Sequence, residues 1–289
     1  MKILIIQENG HHDANRNFRE CFSLQRAFRE HSHIHTTVWG QRHDFYSPTN
    51  LPNFDLYDVI INLENYDMNQ WVPHDKIAQS KAYKILWAID SHSKGINSYR
   101  FIRDLGRYNL MLCSIKHHCD TNSVWFPNCY DDLLIQPLRV NKKTRIGFCG
   151  NGGTKERMEL VNLLRHKYND FAFDEMVIGR DMVKAINSYG THFNMNVMDD
   201  INYRNFETIG CGIPLLTNYN YQYDELGFEH GKNCIFYKDK NELIKYADML
   251  ICMSDYYKQE IGNNALELSK KHTYRARVNK LLEFLKSKI

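Results

Sequence analysis

The fold is decided by residues 145–157, RIGFCGNGGTKER, where a short apolar run passes into a glycine-rich turn and then into a polar, helix-forming stretch. A strand, a glycine turn and a helix in this order are typical of a βα unit in a parallel sheet. The glycines let backbone N–H groups approach an anion, and the helix N-terminus adds favourable partial charge. Lys155 and Arg157 add mobile positive charge, which suits a diphosphate. Since such turns also occur without any phosphate, both interpretations stay open on this segment alone.

The same alternation of apolar runs and longer amphipathic stretches extends in both directions from this turn. Before it, we predict strands near residues 2–6, 35–39, 58–63, 84–89, 111–115 and 124–126, with the longest helix at 17–30. After it, we predict strands at 175–178, 192–197, 214–217 and 234–237, and helices at 155–167, 181–188, 203–209 and from 241 onward. The pattern predicts an α/β protein with two Rossmann-like domains, 1–140 and 141–289. The final helix, at about 274–286, is a candidate to cross back to the first domain.

Composition and charge limit the class of protein. The chain of 289 residues is 43% hydrophobic and 25% charged with a net charge of +3, which is typical of a globular protein and does not by itself imply a polyanionic partner. No apolar run reaches transmembrane length and the first residues turn polar early, so we expect a cytoplasmic protein. A single glycine, Gly10, follows the first strand, which disfavours a dinucleotide-dependent oxidoreductase.

The cysteines and histidines do not predict a metal site. The eight cysteines have no short repeated spacing, and several lie in apolar runs, which favours buried, reduced thiols. Cys113, His117, His118 and Cys119 lack a second ligand pair at zinc-finger distance, and the chain has no Asp-x-Asp triplet. We therefore expect no metal and no other cofactor.

The most specific segment is residues 194–217, NMNVMDDINYRNFETIGCGIPLLT. It resembles the signature of group 1 glycosyltransferases, in particular the spore-maturation, CgeB-like branch, and the segments 223–233 and 272–277 agree with it. The resemblance covers the chain from about Arg145 to its end. It implies the GT-B arrangement of two Rossmann-like domains with a cleft between them, in which the C-terminal domain binds a nucleotide-sugar donor and the N-terminal domain binds the acceptor.

The resemblance also implies roles for individual residues. Glu207 is expected to bind the ribose hydroxyls, Asp199 to stand where the family has a glutamate that contacts the transferred sugar, and Arg204 to balance the diphosphate. The complete predicted donor-binding set is Gly150, Asn151, Gly152, Gly153, Lys155, Arg157, Arg204, Asn205, Phe206 and Glu207. The resemblance also implies retention of anomeric configuration, and a UDP-sugar donor is favoured because it is the commonest in the family. For Glu207 and Arg204 the alternative is a surface ion pair near a helix terminus, and for Asp199 it is helix capping.

Two loops of the N-terminal half follow predicted strands, at residues 7–12 and 90–95, and belong at the carboxyl edge of their sheet. Asp90 and His92 in the second loop are therefore candidates, together with Asp199, for the catalytic group. The acceptor is either a glycan or metabolite, or a hydroxymethylated base of phage-type DNA. The DNA alternative requires a basic stripe in the first domain; the candidates are Arg16, Arg19, Arg26, Arg29, Lys81, Lys84 and Lys94. A non-catalytic nucleotide-sugar-binding protein is the alternative function.

Overall fold

The computed structural model describes residues 1–10, 13–65, 67 and 70–288. The chain forms two compact units: Met1–Pro127 with Tyr274–Ile289, and Asn128–Thr273. Each unit contains one parallel sheet with helices connecting its strands. The prediction of an α/β protein with two Rossmann-like domains is therefore confirmed.

Unit 1 is built on a parallel sheet with the strand order β2-β1-β3-β4-β5-β6. Its strands are β1 Lys2–Ile6, β2 His35–Trp39, β3 Val59–Leu63, β4 Tyr83–Ala88, β5 Leu110–Cys113 and β6 Ser123–Trp125. Its helices are α1 Glu20–Arg29, α2 His74–Gln79, α3 Ser91–Lys94 and α4 Ile96–Leu105, with 3-10 turns at Asp13–Phe18, Phe54–Leu56 and Lys116–His118. The central strands β1, β3 and β4 are buried along almost their whole length, as expected when helices cover both faces of a parallel sheet.

Unit 2 has a second parallel sheet with the strand order β11-β10-β9-β7-β8. Its strands are β7 Gly147–Gly150, β8 Ala172–Glu175, β9 His192–Phe193, β10 Leu215–Asn218 and β11 Ile235–Tyr237. Its helices are α5 Lys155–Lys167, α6 Gly179–Asn187, α7 Tyr203–Gly210, α8 Tyr223–Leu226, α9 Lys240–Cys252 and α10 Asp255–Ser269, followed by a 3-10 turn at Lys270–His272.

Three elements differ from their predicted positions. The helix predicted at 17–30 is divided into the 3-10 turn Asp13–Phe18 and α1. The strand predicted at 175–178 lies earlier, at β8, because Met176 adopts a left-handed φ of 57° that ends the extended run. The strand predicted at 192–197 ends after Phe193, and the N–H of Asn196 donates to Asn218 Oδ1 at 2.7 Å instead of to the backbone of a neighbouring strand.

The last helix, α11 Tyr274–Leu285, belongs to unit 1, where it packs against α1. Its residues Val278, Leu281 and Leu285 are buried.

The connection that follows Pro127 is grouped with unit 2, whereas the sequence-based boundary lies at 140, so the exact domain limits stay a prediction. None of the helices in the described ranges combines the length and the apolar character needed to cross a bilayer.

Candidate functional site

In unit 2, the loops that follow β7, β9 and β10 lie at the carboxyl edge of the sheet, because all three strands are parallel. Ligands of open parallel sheets bind at this edge. The predicted donor-binding residues fall on two elements there, the turn between β7 and α5 and the first turns of α7. The sequence therefore places the candidate site at the edge where the topology favours binding.

The glycine-rich turn is shaped by side chains as well as by glycines. Gly153 has a left-handed φ of 57°, and its N–H donates to Asn151 Oδ1 at 2.9 Å. A Cβ on Gly152 would lie 2.4 Å from the sulfur of Met158, so the turn packs tightly on α5. Thr154 caps α5 by accepting from the N–H of Arg157 at 3.3 Å. The turn thus delivers the positive end of α5 to the sheet edge, with Lys155 exposed beside it.

Arg157 connects this turn to the loop after β9. Its Nη1 donates to the carbonyl oxygen of Asn151 at 3.0 Å and its Nη2 to that of Met195 at 2.9 Å. Its buried Nε has no hydrogen-bond partner among the residues that the structure describes. Burial and the nearby charge of Arg204 lower the pKa of Arg157. Arg157 and Arg204 thus bring two positive charges near each other, which favours an anionic ligand at this edge.

Arg204 and Glu207 form an ion pair on α7. Asn202 caps this helix by accepting from the N–H of Arg204 at 3.1 Å, and Arg204 Nη1 lies 2.5 Å from Glu207 Oε2. The exposed fractions of the two side chains are 20% and 16%, so the pair is neither a surface pair nor fully enclosed. Burial lowers the pKa of Arg204, but the charge and the hydrogen bond of Glu207 outweigh burial, so the pKa of Arg204 is raised. The carboxylate is thus held in one orientation near the sheet edge.

A closed triangle of hydrogen bonds supports the start of α7. Asn205 Nδ2 donates to Asn196 Oδ1 at 2.7 Å, Asn196 Nδ2 donates to the Tyr223 hydroxyl at 2.6 Å, and that hydroxyl donates to Asn205 Oδ1 at 2.9 Å. All three residues are buried. Only Asn205 was predicted as a site residue, and its amide is engaged in this network. Asn196 and Tyr223 were missed, because no local pattern links residues so distant in sequence.

Two other predicted residues have clear positions. The Asp199 side chain is exposed, while its carbonyl oxygen accepts from Asn220 Nδ2 at 3.1 Å and from Gln222 Nε2 at 2.6 Å. The loop that carries Asp199 is therefore fixed, and its contact with a sugar stays a prediction. The Phe206 ring is fully buried, 6.0 Å from Phe228 and 5.3 Å from His272 between ring centres, so it packs beneath the edge.

The carboxyl edge of unit 1 carries a second polar cluster. Gln7, just after β1, donates through Nε2 to Glu20 Oε2 at 2.7 Å and to Glu64 Oε2 at 3.0 Å, and Arg19 forms an ion pair with Glu64. Glu64 directly follows β3 with a left-handed φ of 66°. Burial raises the pKa of Glu64, and the charge of Arg19 opposes that rise. The sequence does not single out Glu64. The structure does, because a left-handed backbone at a non-glycine residue directly after a strand often marks a functional position.

Asp90 lies two residues after the end of β4 and has a left-handed φ of 53°. Its carbonyl oxygen accepts from the N–H groups of Ser93 at 3.0 Å and Lys94 at 3.1 Å, which fixes the short helix α3. Burial raises the pKa of Asp90, whereas the nearby His92 acts in the opposite direction. Asp90 and His92 are therefore close in space, as their sequence spacing predicts. His11 and His12 of the other predicted loop lie outside the described residues.

Comparisons with known proteins fit this geometry. The model of a family described as glycosyl transferase-like matches residues 132–283. No curated protein matches the chain. Among solved structures, HepE of Anabaena, crystallised with UDP and glucose, is 14% identical over 99% of this chain and 100% of its own, with a TM-score of 0.70.

Two further structures share the fold over the whole chain. Sucrose-phosphate synthase from Thermosynechococcus elongatus is 10% identical with a TM-score of 0.66, covering 100% of both chains. T4 phage BGT, in complex with its UDP-glucose substrate, is 13% identical with a TM-score of 0.66, covering 99% of both chains. These likenesses confirm the GT-B fold class; the CgeB-like branch stays a resemblance. With more than half of its length matched by the family model, the chain belongs to the glycosyl transferase-like family.

Proposed function

We propose that this chain transfers a sugar from a UDP-sugar to a hydroxyl acceptor, with the donor bound at the carboxyl edge of unit 2. The observation that carries the proposal is the arrangement around Arg157, Arg204 and Glu207, in which two cations and one oriented carboxylate stand beside a helix N-terminus. A nucleoside diphosphate needs these groups: cations and amides for its phosphates, and a carboxylate for its ribose hydroxyls.

The cations also suit the chemistry of transfer. When the bond between the anomeric carbon and the phosphate oxygen breaks, negative charge grows on the departing diphosphate. Arg157 is positioned by two backbone carbonyl groups, and its buried Nε retains an unused donor within the described part of the chain. A preorganised donor of this kind stabilises the transition state more than the ground state. UDP is the favoured nucleotide because HepE was crystallised with UDP and glucose, and BGT with UDP-glucose.

The acceptor is proposed to bind at the carboxyl edge of unit 1, with Asp90 and His92 as the groups that contact it. A glycan or metabolite suits this edge better than DNA, because two of the basic residues that DNA would need are engaged elsewhere. Arg19 is paired with Glu64, and buried Lys84 donates through Nζ to the carbonyl oxygen of Ser80 at 2.9 Å.

Retention of configuration is proposed from the family resemblance. The anomeric proton coupling of the product, measured by NMR at early times, tests it.

Nucleotide binding is the first test. UDP at about 100 times Kd is expected to stabilise the wild type by about 2.7 kcal/mol, which raises its melting temperature visibly, whereas ADP is expected to have little effect. Glu207→Gln is expected to lose most of the UDP-dependent rise, because the neutral amide is a weaker acceptor for the ribose hydroxyls and no longer holds Arg204 in place by an ion pair. Thermal shift, measured with and without each nucleotide, separates this loss from any change in the free protein.

Glu229→Gln is the matched control for Glu207→Gln. Glu229 also pairs with a residue three positions away on unit 2, Lys232 at 2.9 Å, but this pair is exposed. Its loss should leave the UDP-dependent rise unchanged. Absence of any shift with UDP in the wild type would contradict the proposed donor site, and binding without transfer to any acceptor would favour a non-catalytic nucleotide-sugar-binding protein.

Asp90→Asn tests the acceptor side. Asparagine tolerates the left-handed backbone at this position, so the fold is expected to persist. Loss of the carboxylate is expected to lower the transfer rate about a hundred-fold while UDP affinity stays within about two-fold. Asp104→Asn, an exposed change on α4 of the same unit, serves as control. Equal rates for both variants would remove Asp90 from the proposed catalytic group.

A further inference from the structure

A buried histidine connects the strand before the glycine turn to the helix that carries Arg204 and Glu207. The N–H of Cys149, on β7, donates to His192 Nε2 at 3.2 Å, and His192 Nδ1 lies 2.6 Å from Thr208 Oγ1. Thr208 Oγ1 in turn donates to the carbonyl oxygen of Arg204 at 2.5 Å. These three hydrogen bonds form a continuous path from β7 to the first turn of α7.

The path fixes the tautomer of the imidazole. Nε2 faces a backbone N–H and therefore accepts, so a neutral ring carries its proton on Nδ1 and donates it to Thr208. The hydroxyl of Thr208 can accept this bond because its own proton goes to Arg204. Burial, together with the charge of Arg204, holds the pKa of His192 well below its usual value, which keeps the ring neutral. Donor and acceptor roles agree along the whole path.

The imidazole of His192 accepts from a backbone N–H of β7 that has no backbone acceptor on β9. β7 pairs with β9 through Gly147 and His192, and β9 ends one residue later. The N–H of Cys149, two residues further along β7, donates to the side chain of His192 instead of to a backbone carbonyl oxygen of β9. His192 is completely buried, and an apolar side chain in its place would leave the N–H of Cys149 without an acceptor. What the imidazole adds is a fixed distance between β7 and α7.

We infer that His192 and Thr208 are positioning residues for donor binding, which set α7 so that the Arg204 and Glu207 pair faces the glycine turn at the required distance. The inference rests on the proposed donor site. Neither residue needs to touch the nucleotide, since each acts through the backbone of Arg204 or Cys149. A displacement of the helix by even a fraction of an ångström would misplace both charged groups together.

The test compares Thr208→Val with Thr208→Ser. Valine keeps the shape but removes the hydroxyl, and is expected to raise the Kd for UDP about ten-fold. Serine keeps the hydroxyl, and its Kd is expected to stay within about two-fold of wild type. Thr144→Val is the control for lost buried hydrogen bonds: Thr144 Oγ1 donates to the carbonyl oxygen of Ile146 at 2.8 Å, before β7 at the opposite edge of the sheet. It should lower the melting temperature without changing the Kd.

A second measurement needs no ligand. Long-range ¹H–¹⁵N NMR spectra of the wild type at pH 7 should show His192 as the neutral Nδ1–H tautomer. An Nε2–H tautomer or an imidazolium at this pH would overturn the inference. A Kd for Thr208→Val equal to that of wild type would overturn it as well, while leaving the proposed function intact. A wild type that binds no UDP would remove the proposed function, and the positioning role with it.

Discussion

Replacement of Arg157 by methionine is expected to lower kcat/KM for transfer from a UDP-sugar by about a thousand-fold. One preorganised donor aimed at developing negative charge contributes about a hundred- to a thousand-fold, and this side chain also connects the glycine turn to the loop after β9. Arg157→Lys is expected to recover only part of the rate, because an ammonium group cannot bridge the carbonyl oxygens of Asn151 and Met195 in the same geometry. Initial rates at saturating acceptor measure both variants.

Arg165→Met is the control for Arg157→Met, since both positions lie on α5 and both changes remove one positive charge. Arg165 is exposed near the other end of the helix, where its guanidinium lies 5.2 Å from the ring centre of Phe173. Its loss is expected to change the rate less than three-fold. A rate for Arg157→Met close to that of the control would remove Arg157 from the donor site.

Gly262→Ala is expected to lower the free energy of unfolding of unit 2 by about 3 kcal/mol. A Cβ at this position of α10 would lie 2.3 Å from the carbonyl oxygen of Gly212, a backbone atom in the turn between α7 and β10. Gly212 itself has a left-handed φ of 67°, so this turn has little freedom to move away. The gain in helix propensity from alanine, about 1 kcal/mol, offsets only part of the clash.

The neighbouring change Asn263→Ala is the matched control, because Asn263 is exposed on the same helix. It should leave stability unchanged or slightly higher. Urea unfolding followed by circular dichroism measures both variants, and UDP binding of Gly262→Ala should weaken in parallel because α10 packs against α7. If Gly262→Ala unfolds at the same urea concentration as the control, the close contact between α10 and this turn is wrong.

Much of the fold could be predicted because its strands are short apolar runs bounded by polar turns. β1 and β2, and the helix α5, have the predicted bounds, since local pattern decides them. The errors fall where tertiary contacts decide. β9 ends at Phe193, and beyond it the N–H of Asn196 bonds to the side chain of Asn218 instead of to the backbone of a neighbouring strand. The local pattern through residue 197 does not reveal that contact.

The candidate site was predictable only in part. The glycine turn, Arg204 and Glu207 stand in local motifs, whereas His192 and Glu64 do not. A histidine within an apolar run is usually a core residue, and its bond to Thr208 depends on how β9 and α7 come together. The ion pair between Glu64 and Arg19 likewise joins residues from distant parts of the chain. Asp199 is exposed, and its contact with a sugar stays a prediction.

The assignment of α11 to unit 1 has a consequence for synthesis of the protein. Unit 1 consists of two stretches, and all of unit 2 lies between them. On the ribosome, β1 to β6 therefore emerge long before the helix that covers α1, and unit 2 is complete first. The chain between the end of α1 at Arg29 and the start of α11 at Tyr274 takes roughly 12 to 50 seconds to make at about 5–20 residues per second, and the apolar surface of α1 that α11 covers stays exposed for that time. In the finished protein α11 covers that surface, and its residues Val278 and Leu285 are buried.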